Sequence, residues 1–211
     1  MRYLILIVMT LLAACGGGGG GSDDRTDNSG GSPPPPDPRI ARIDSYDALR
    51  LEILGDPDAD IAGYPLTDLI VPETLGQMAF AGSVSIRAET SVRPSVLAGD
   101  LALEVDFEDN AITGQMTRFF GTGPDRVLRD FTGVVTIESG TVGGTVANSW
   151  DLNYSGVLTA PGQAVALDGT VNGTFLGNPL SAMAGSELEA QLVYNGNVVG
   201  GVVTLFSAAD P

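Results

Sequence analysis

Lysine and histidine are both missing from the 211 residues, and cysteine occurs once, at Cys15. Each absence removes a class of chemistry. Without histidine there is no serine–histidine or cysteine–histidine couple, and no zinc site of the usual His/Cys kind. Without lysine there is neither a Schiff base nor a phosphate-loop amine. A single cysteine forms no disulfide within the chain. Positive charge is scarce as well: ten arginines stand against 26 carboxylates, for a net charge of -16. Phosphate backbones need a basic footprint, so nucleic acid is not an expected partner. A binding module, a structural protein or a carboxylate-based enzyme remains; no cofactor or metal is implied.

The N-terminus carries the clearest signal. Arg2 precedes an apolar run from Leu4 to Leu12, interrupted only by Thr10. A run of about ten residues is too short for a bilayer core of ~30 Å but has the dimensions of a signal-peptide core. Leu12-Ala13-Ala14-Cys15 comes next, with Gly16 behind it. This resembles the lipobox of bacterial lipoproteins. The resemblance implies cleavage before Cys15, diacylation of its sulfur and acylation of its nitrogen. Residues 1–14 read as the leader. Two or more acyl chains, at ~0.8 kcal/mol per buried methylene, make a stable membrane anchor.

Residues 15–38 read as a lipidated, disordered linker. Six glycines, Gly16 to Gly21, lead through a polar stretch to Pro33–Pro36, with no aromatic or β-branched aliphatic side chain from Gly16 to Pro38. The glycines predict a flexible coil and the prolines a stiffer spacer, which would hold a folded domain away from a membrane surface.

Residues 39–76 have a pattern of their own. Ser45 to Gly55 predicts a short helix, with Ser45 as cap, Tyr46, Leu49 and Ile53 at helical spacing and Gly55 at the end. Asp56 to Pro72 reads as loop. Asp56, Asp58 and Asp60 have the opening spacing of a calcium loop. Ile61 stands where such a loop needs glycine and Thr67 where it needs glutamate, so the pattern fails and a solvated acidic turn is expected.

From residue 77 to 211 the period becomes two. In Leu101–Glu108 the odd positions are apolar and most even ones acidic; the alternation recurs in Ser83–Glu89 and Glu187–Tyr194. Each predicts an antiparallel strand with one buried and one wet face. Strands are expected near 77–89, 98–107, 111–120, 131–138, 149–159, 164–176, 184–194 and 197–206, with Asn195-Gly196 as the strongest hairpin signal. The fold class is all-β: an eight-stranded antiparallel up-and-down barrel, with a β-sandwich as the alternative. Glu104, Asp106 and Glu108 would share the outer face, where they read as solubilising charge.

The segment Gly173-Thr174-Phe175-Leu176-Gly177-Asn178-Pro179-Leu180-Ser181-Ala182-Met183-Ala184-Gly185 is similar to the G-x-F-x-G-x-x-A-x-x-x-G-G signature of transferrin-binding protein B barrels. Leu180 and Ala184 depart from it. Val105-Asp106-Phe107 with Ile112-Thr113-Gly114 resembles the family's strand–turn–strand element. The resemblance implies a surface-exposed, lipid-anchored barrel that captures a protein or small solute. The roughly 40 residues ahead of the barrel are too few for the family's handle domain.

One segment interrupts the acidic surface. Arg118, Arg126 and Arg129 fall within thirteen residues beside Phe119 and Phe120. In a regular strand one of the two phenylalanines faces outward, and arginine with exposed aromatics is the composition of a binding hot spot. The opposing reading pairs Arg126 and Arg129 with Asp125 and Asp130 and turns Phe119 inward. The sequence thus predicts a lipid-anchored, non-enzymatic binding protein of the bacterial outer membrane or cell surface, with a structural envelope lipoprotein as the alternative.

Overall fold

The computed structural model describes residues 35–67, 75–143 and 148–210, and Pro36–Pro211 forms a compact unit in itself. The leader, Cys15 and nearly all of the linker lie outside the described residues.

The first element is a helix, α1 (Pro38–Leu54), seven residues longer at its start than the sequence suggests. Asp37 is its N-cap, and its carboxylate accepts from the Arg39 backbone N–H at 2.9 Å. Pro38 at the first helical position costs nothing, because that N–H has no helical partner. Ser45 does not cap; its hydroxyl donates to the Arg42 carbonyl inside the helix. Gly55 ends the helix with φ +72°. A tight turn comes next, built from β1 (Gly55–Asp56) and β2 (Ile61–Ala62).

Nine further strands follow among the described residues. They are β3 (Gln77–Ala88), β4 (Ser95–Asp106), β5 (Ala111–Thr122), β6 (Leu128–Asp130), β7 (Val135–Val142), β8 (Ser149–Ala160), β9 (Gln163–Leu176), β10 (Ala182–Tyr194) and β11 (Asn197–Ala209). All pair antiparallel, and β11 returns to β3. The ring β3-β4-β5-β7-β8-β9-β10-β11 closes, so the fold is an eight-stranded barrel and the sandwich is excluded. The short β6 lies outside the ring on the last residues of β5, with Phe120 opposite Asp130. It ends one residue before the stretch expected as the fourth strand, 131–138, which starts instead at Val135.

Alternation fills the lumen. Val84, Ile86, Leu101, Leu103, Val105, Leu152 and Leu205 point inward and are buried, together with Phe80, Phe107, Phe119, Trp150, Tyr154 and Phe175. Gly173 and Gly185 face each other across β9 and β10, and a Cβ on either would collide with the Trp150 indole. At Gly173 and Gly185 of the quoted motif the indole and the neighbouring strand's carbonyl, of Ala184 and Asn172 respectively, occupy the space a side chain would need.

Strand β10 departs from the expected alternation. Glu187 pairs with Val203 but Ala190 with Gly201, so β10 holds one extra residue there. Such a bulge inverts the facing of residues on one side of it. Leu188, expected inside, is 69 % exposed, and Glu187 turns into the lumen.

The helix lies across the outside of the barrel. Asp100, Ser83, Phe206, Ala184 and Thr174 are successive neighbours across β4, β3, β11, β10 and β9. Arg42 and Tyr46 reach Asp100 at one end of this row, while Leu49 and Ile53 join Phe206, Ala184, Ala182 and Leu176 at the other. The small side chains of Ser83 and Ala184 leave room for the helix to sit close.

Candidate functional site

The arginine-bearing segment begins on β5, where the pairing with β4 slips: Phe120 is opposite Ala98, but Thr117 is opposite Asp100. Three residues of β5 thus span two of β4. The bulge sits at Arg118, whose φ of +51° is left-handed. Its consequence is that the inward face passes from even to odd positions: Met116 and Phe119 both enter the lumen and Phe120 faces outward, each phenylalanine 1 % exposed. Phe119 enters the lumen over Gly99, where a Cβ would strike its ring. Phe120 faces outward and is covered by α1. The Arg42 guanidinium lies 4.5 Å from its ring centroid, and the Tyr46 ring stacks at 6.3 Å and 26°. Neither ring is an exposed binding anchor.

Asp100 organises the polar side of this contact. Its carboxylate accepts from the Tyr46 hydroxyl, from Arg42 at 3.0 Å and from Arg118. Arg42 also donates to the Arg118 carbonyl at 2.8 Å, which holds the bulge against the helix. Burial alone would raise the Asp100 carboxyl, but the hydrogen bonds from Tyr46 and Arg42, with the charge of Arg42, hold it below its ordinary value. Burial, and after it the bond to Asp100, pushes the Tyr46 hydroxyl up to about 12. Arg118 is therefore engaged in fastening the helix. Neither Arg42 nor Tyr46 is recognisable in sequence as part of this cluster, because 58 and 54 residues separate them from Asp100 and no local spacing connects them.

Beyond the bulge the chain folds over one barrel end. Arg129 grips Asp125 with two hydrogen bonds of 3.1 and 2.8 Å, and Asp125 also accepts from the Val127 N–H. That fork fixes the loop, in line with the pairing of Arg129 and Asp125 read from the sequence. Asp130 takes a different partner, Arg39 at 3.7 Å. Arg126, at φ +63°, extends into solvent with no side-chain partner among the described residues. The five residues singled out in sequence thus divide into three roles: Phe119 and Phe120 are core, Arg118 and Arg129 are paired, and Arg126 is free.

Two further features carry polarity. In the lumen the Tyr154 hydroxyl donates to Glu187 at 2.6 Å, and Gly169 leaves space for both groups. Burial and then the Glu187 carboxylate raise the Tyr154 hydroxyl. The strand pairing between β9 and β10 lapses here, from Ser186 to Val193. In the turn after α1, Asp56 caps a single 3-10 turn by accepting from the Asp58 and Ala59 N–H groups, which is its structural work. Among the described residues no group of three or more acidic, His or Cys side chains is placed to hold a metal ion, and no helix is long and apolar enough to cross a membrane. Compared with known proteins, the chain matches no protein-family model and no curated sequence.

Proposed function

We propose that this is a lipid-anchored, non-enzymatic binding protein of the bacterial outer membrane or cell surface, related in architecture to the single-barrel part of transferrin-binding protein B. The anchor is the acylated Cys15 and the tether is the Gly/Pro-rich linker. The observation that carries the choice of ligand is the filled lumen. Trp150, Tyr154, Phe80, Phe107, Phe119 and Phe175 occupy it at below 2 % exposure, and two open depressions lie on the outer wall. Small-solute sites are concave and enclose most of their ligand. A barrel filled with its own side chains has its outer surface left for recognition, and that favours a protein partner over a solute. The second reading, a structural envelope lipoprotein, draws support from the exposed Arg93 and Arg126 in the loops at one barrel end and the exposed Asp58 and Asp60 in the turn that α1 brings to the other.

The test is retention of partners by the immobilised chain from the source organism's medium and envelope extract. Saturable retention of one protein, competed by the free chain, supports the reading. A small molecule co-purifying at one per chain, detected by native mass spectrometry, overturns it.

A further inference from the structure

Four of the five arginines after residue 77, Arg87, Arg93, Arg126 and Arg129, belong to one end of the barrel, the end where β3, β5, β8 and β10 finish, while Arg118 lies in the body of β5 beside Asp100. Two of the four are neutralised there, by Glu89 and Asp125. Arg93 and Arg126 have no side-chain partner among the described residues. They sit in neighbouring loops, because Ser95, which ends the first loop, donates to the Thr122 carbonyl at 3.1 Å, where the second begins. Each arginine has an exposed valine beside it in sequence, Val92 and Val127. The rim therefore combines unpaired positive charge with exposed apolar surface on a chain of net charge -16.

The opposite end has the complementary composition. Ile53 rests on Leu176 and Ala182, the last residue of β9 and the first of β10, which brings the turn after α1 to that end. There Asp58 and Asp60 have no basic partner among the described residues, and Leu54, Ile61 and Leu66 are exposed around them. Asp106, Glu108 and Asp109 add to the negative charge where β4 turns into β5. No arginine of the barrel strands or their loops belongs to this end.

We propose that the chain docks onto a second copy of itself head to tail, the Arg93/Arg126 rim of one barrel meeting the Asp58/Asp60 corner of the next. This rests on the reading that the outer surface, and not the lumen, makes the contacts. Net repulsion between copies does not prevent it. At physiological salt the screening length is ~8 Å, whereas a twelve-residue strand is roughly 40 Å long, so the charge at the contact outweighs the charge of the far end. A rim-to-rim pair would place arginine against arginine. Head-to-tail contact is heterologous and extends into rows of more than two copies unless the rotation closes a ring.

Sedimentation velocity on Gly16–Pro211, which keeps every described residue and the compact Pro36–Pro211 unit, provides the test. Association should grow with concentration at about 50 mM salt and weaken at about 500 mM. Arg93→Glu with Arg126→Glu should weaken it at least about tenfold while leaving the melting temperature unchanged. Mixing that variant with Asp58→Arg/Asp60→Arg should restore association. Orientation is read from single cysteines in this otherwise cysteine-free chain: Arg126→Cys mixed with Asp58→Cys should give the mixed disulfide in excess over either homodimer. A monomer throughout, association indifferent to charge reversal, or dominance of the Arg126→Cys homodimer each overturns the proposal. A lone monomer leaves the external-surface reading standing, whereas a solute found in the lumen removes that reading whatever the oligomeric state.

Discussion

Replacing Phe120 by alanine separates the buried from the exposed interpretation of the arginine-bearing segment. The ring is 1 % exposed, sandwiched between the outer barrel wall and α1, with Arg42 at 4.5 Å and Tyr46 at 6.3 Å. Truncating a phenylalanine at that burial costs about 3–5 kcal/mol. For a unit the size of Pro36–Pro211, each kcal/mol lowers the melting temperature by about 2–4 °C, giving a fall of roughly 6–20 °C. The loss should also be local to the helix. Trypsin cuts after arginine, and α1 offers Arg39, Arg42 and Arg50. In Phe120→Ala these sites should be cut faster before global unfolding. Phe119→Ala, which empties part of the lumen, should lower the melting temperature without selectively exposing α1. A Phe120→Ala variant that melts within ~2 °C of the wild type, or whose helix resists trypsin as the wild type does, would refute the placement of α1 on the barrel.

The geometry sets three other outcomes. Gly173→Ala should destabilise by about 1–3 kcal/mol in chemical denaturation, because the new methyl collides with Trp150, and a Trp150→Leu background should recover part of that loss. Tyr154→Phe should cost about 1–3 kcal/mol by leaving the Glu187 carboxylate in the lumen without its donor, and adding Glu187→Leu should cost less than the sum of the two single changes. Asp100 titrates below its ordinary value of 3.8, so its contribution to stability is complete above that value and is lost as the pH falls through the folded-state value. The melting-temperature gap between wild type and Asp100→Asn should therefore hold steady well above 3.8 and narrow as the pH falls below that value; a gap that stays constant on such acidification contradicts the Asp100 cluster.

The barrel was legible in sequence because its strands bury one face each, and period-two alternation in Leu101–Glu108 or Ser83–Glu89 reports that burial directly. In two strands the structure departs from the expected alternation because of a single inserted residue. The bulge at Arg118 turns Phe119 inward and Phe120 outward, and α1 covers the outward ring, so both are out of solvent. The bulge in β10 exposes Leu188 and turns Glu187 inward, although Glu187–Leu192 alternates perfectly on paper. A bulge depends on the partner strand's register, which no local pattern records. The helix start was available as Asp37-Pro38, but it is continuous with the linker's proline run and reads as spacer. The cluster of Arg42, Tyr46, Asp100 and Arg118 depends on which strands α1 crosses, and that is decided only by the closed ring. By contrast, the gathering of Arg87, Arg93, Arg126 and Arg129 at one end can be read from strand order alone once the eight strands are placed.

The proposed lipid anchor at Cys15 would give the barrel its place in the cell, and the proposed envelope function stands or falls with it. Mass spectrometry of the mature protein extracted from membranes of the source organism tests it directly. The expected result is an N-terminal peptide beginning at Cys15 and carrying a diacylglyceryl thioether with an acylated amino group. An N-terminal peptide bearing an unmodified Cys15, or a mature chain beginning beyond it, would contradict the anchor and with it the envelope function.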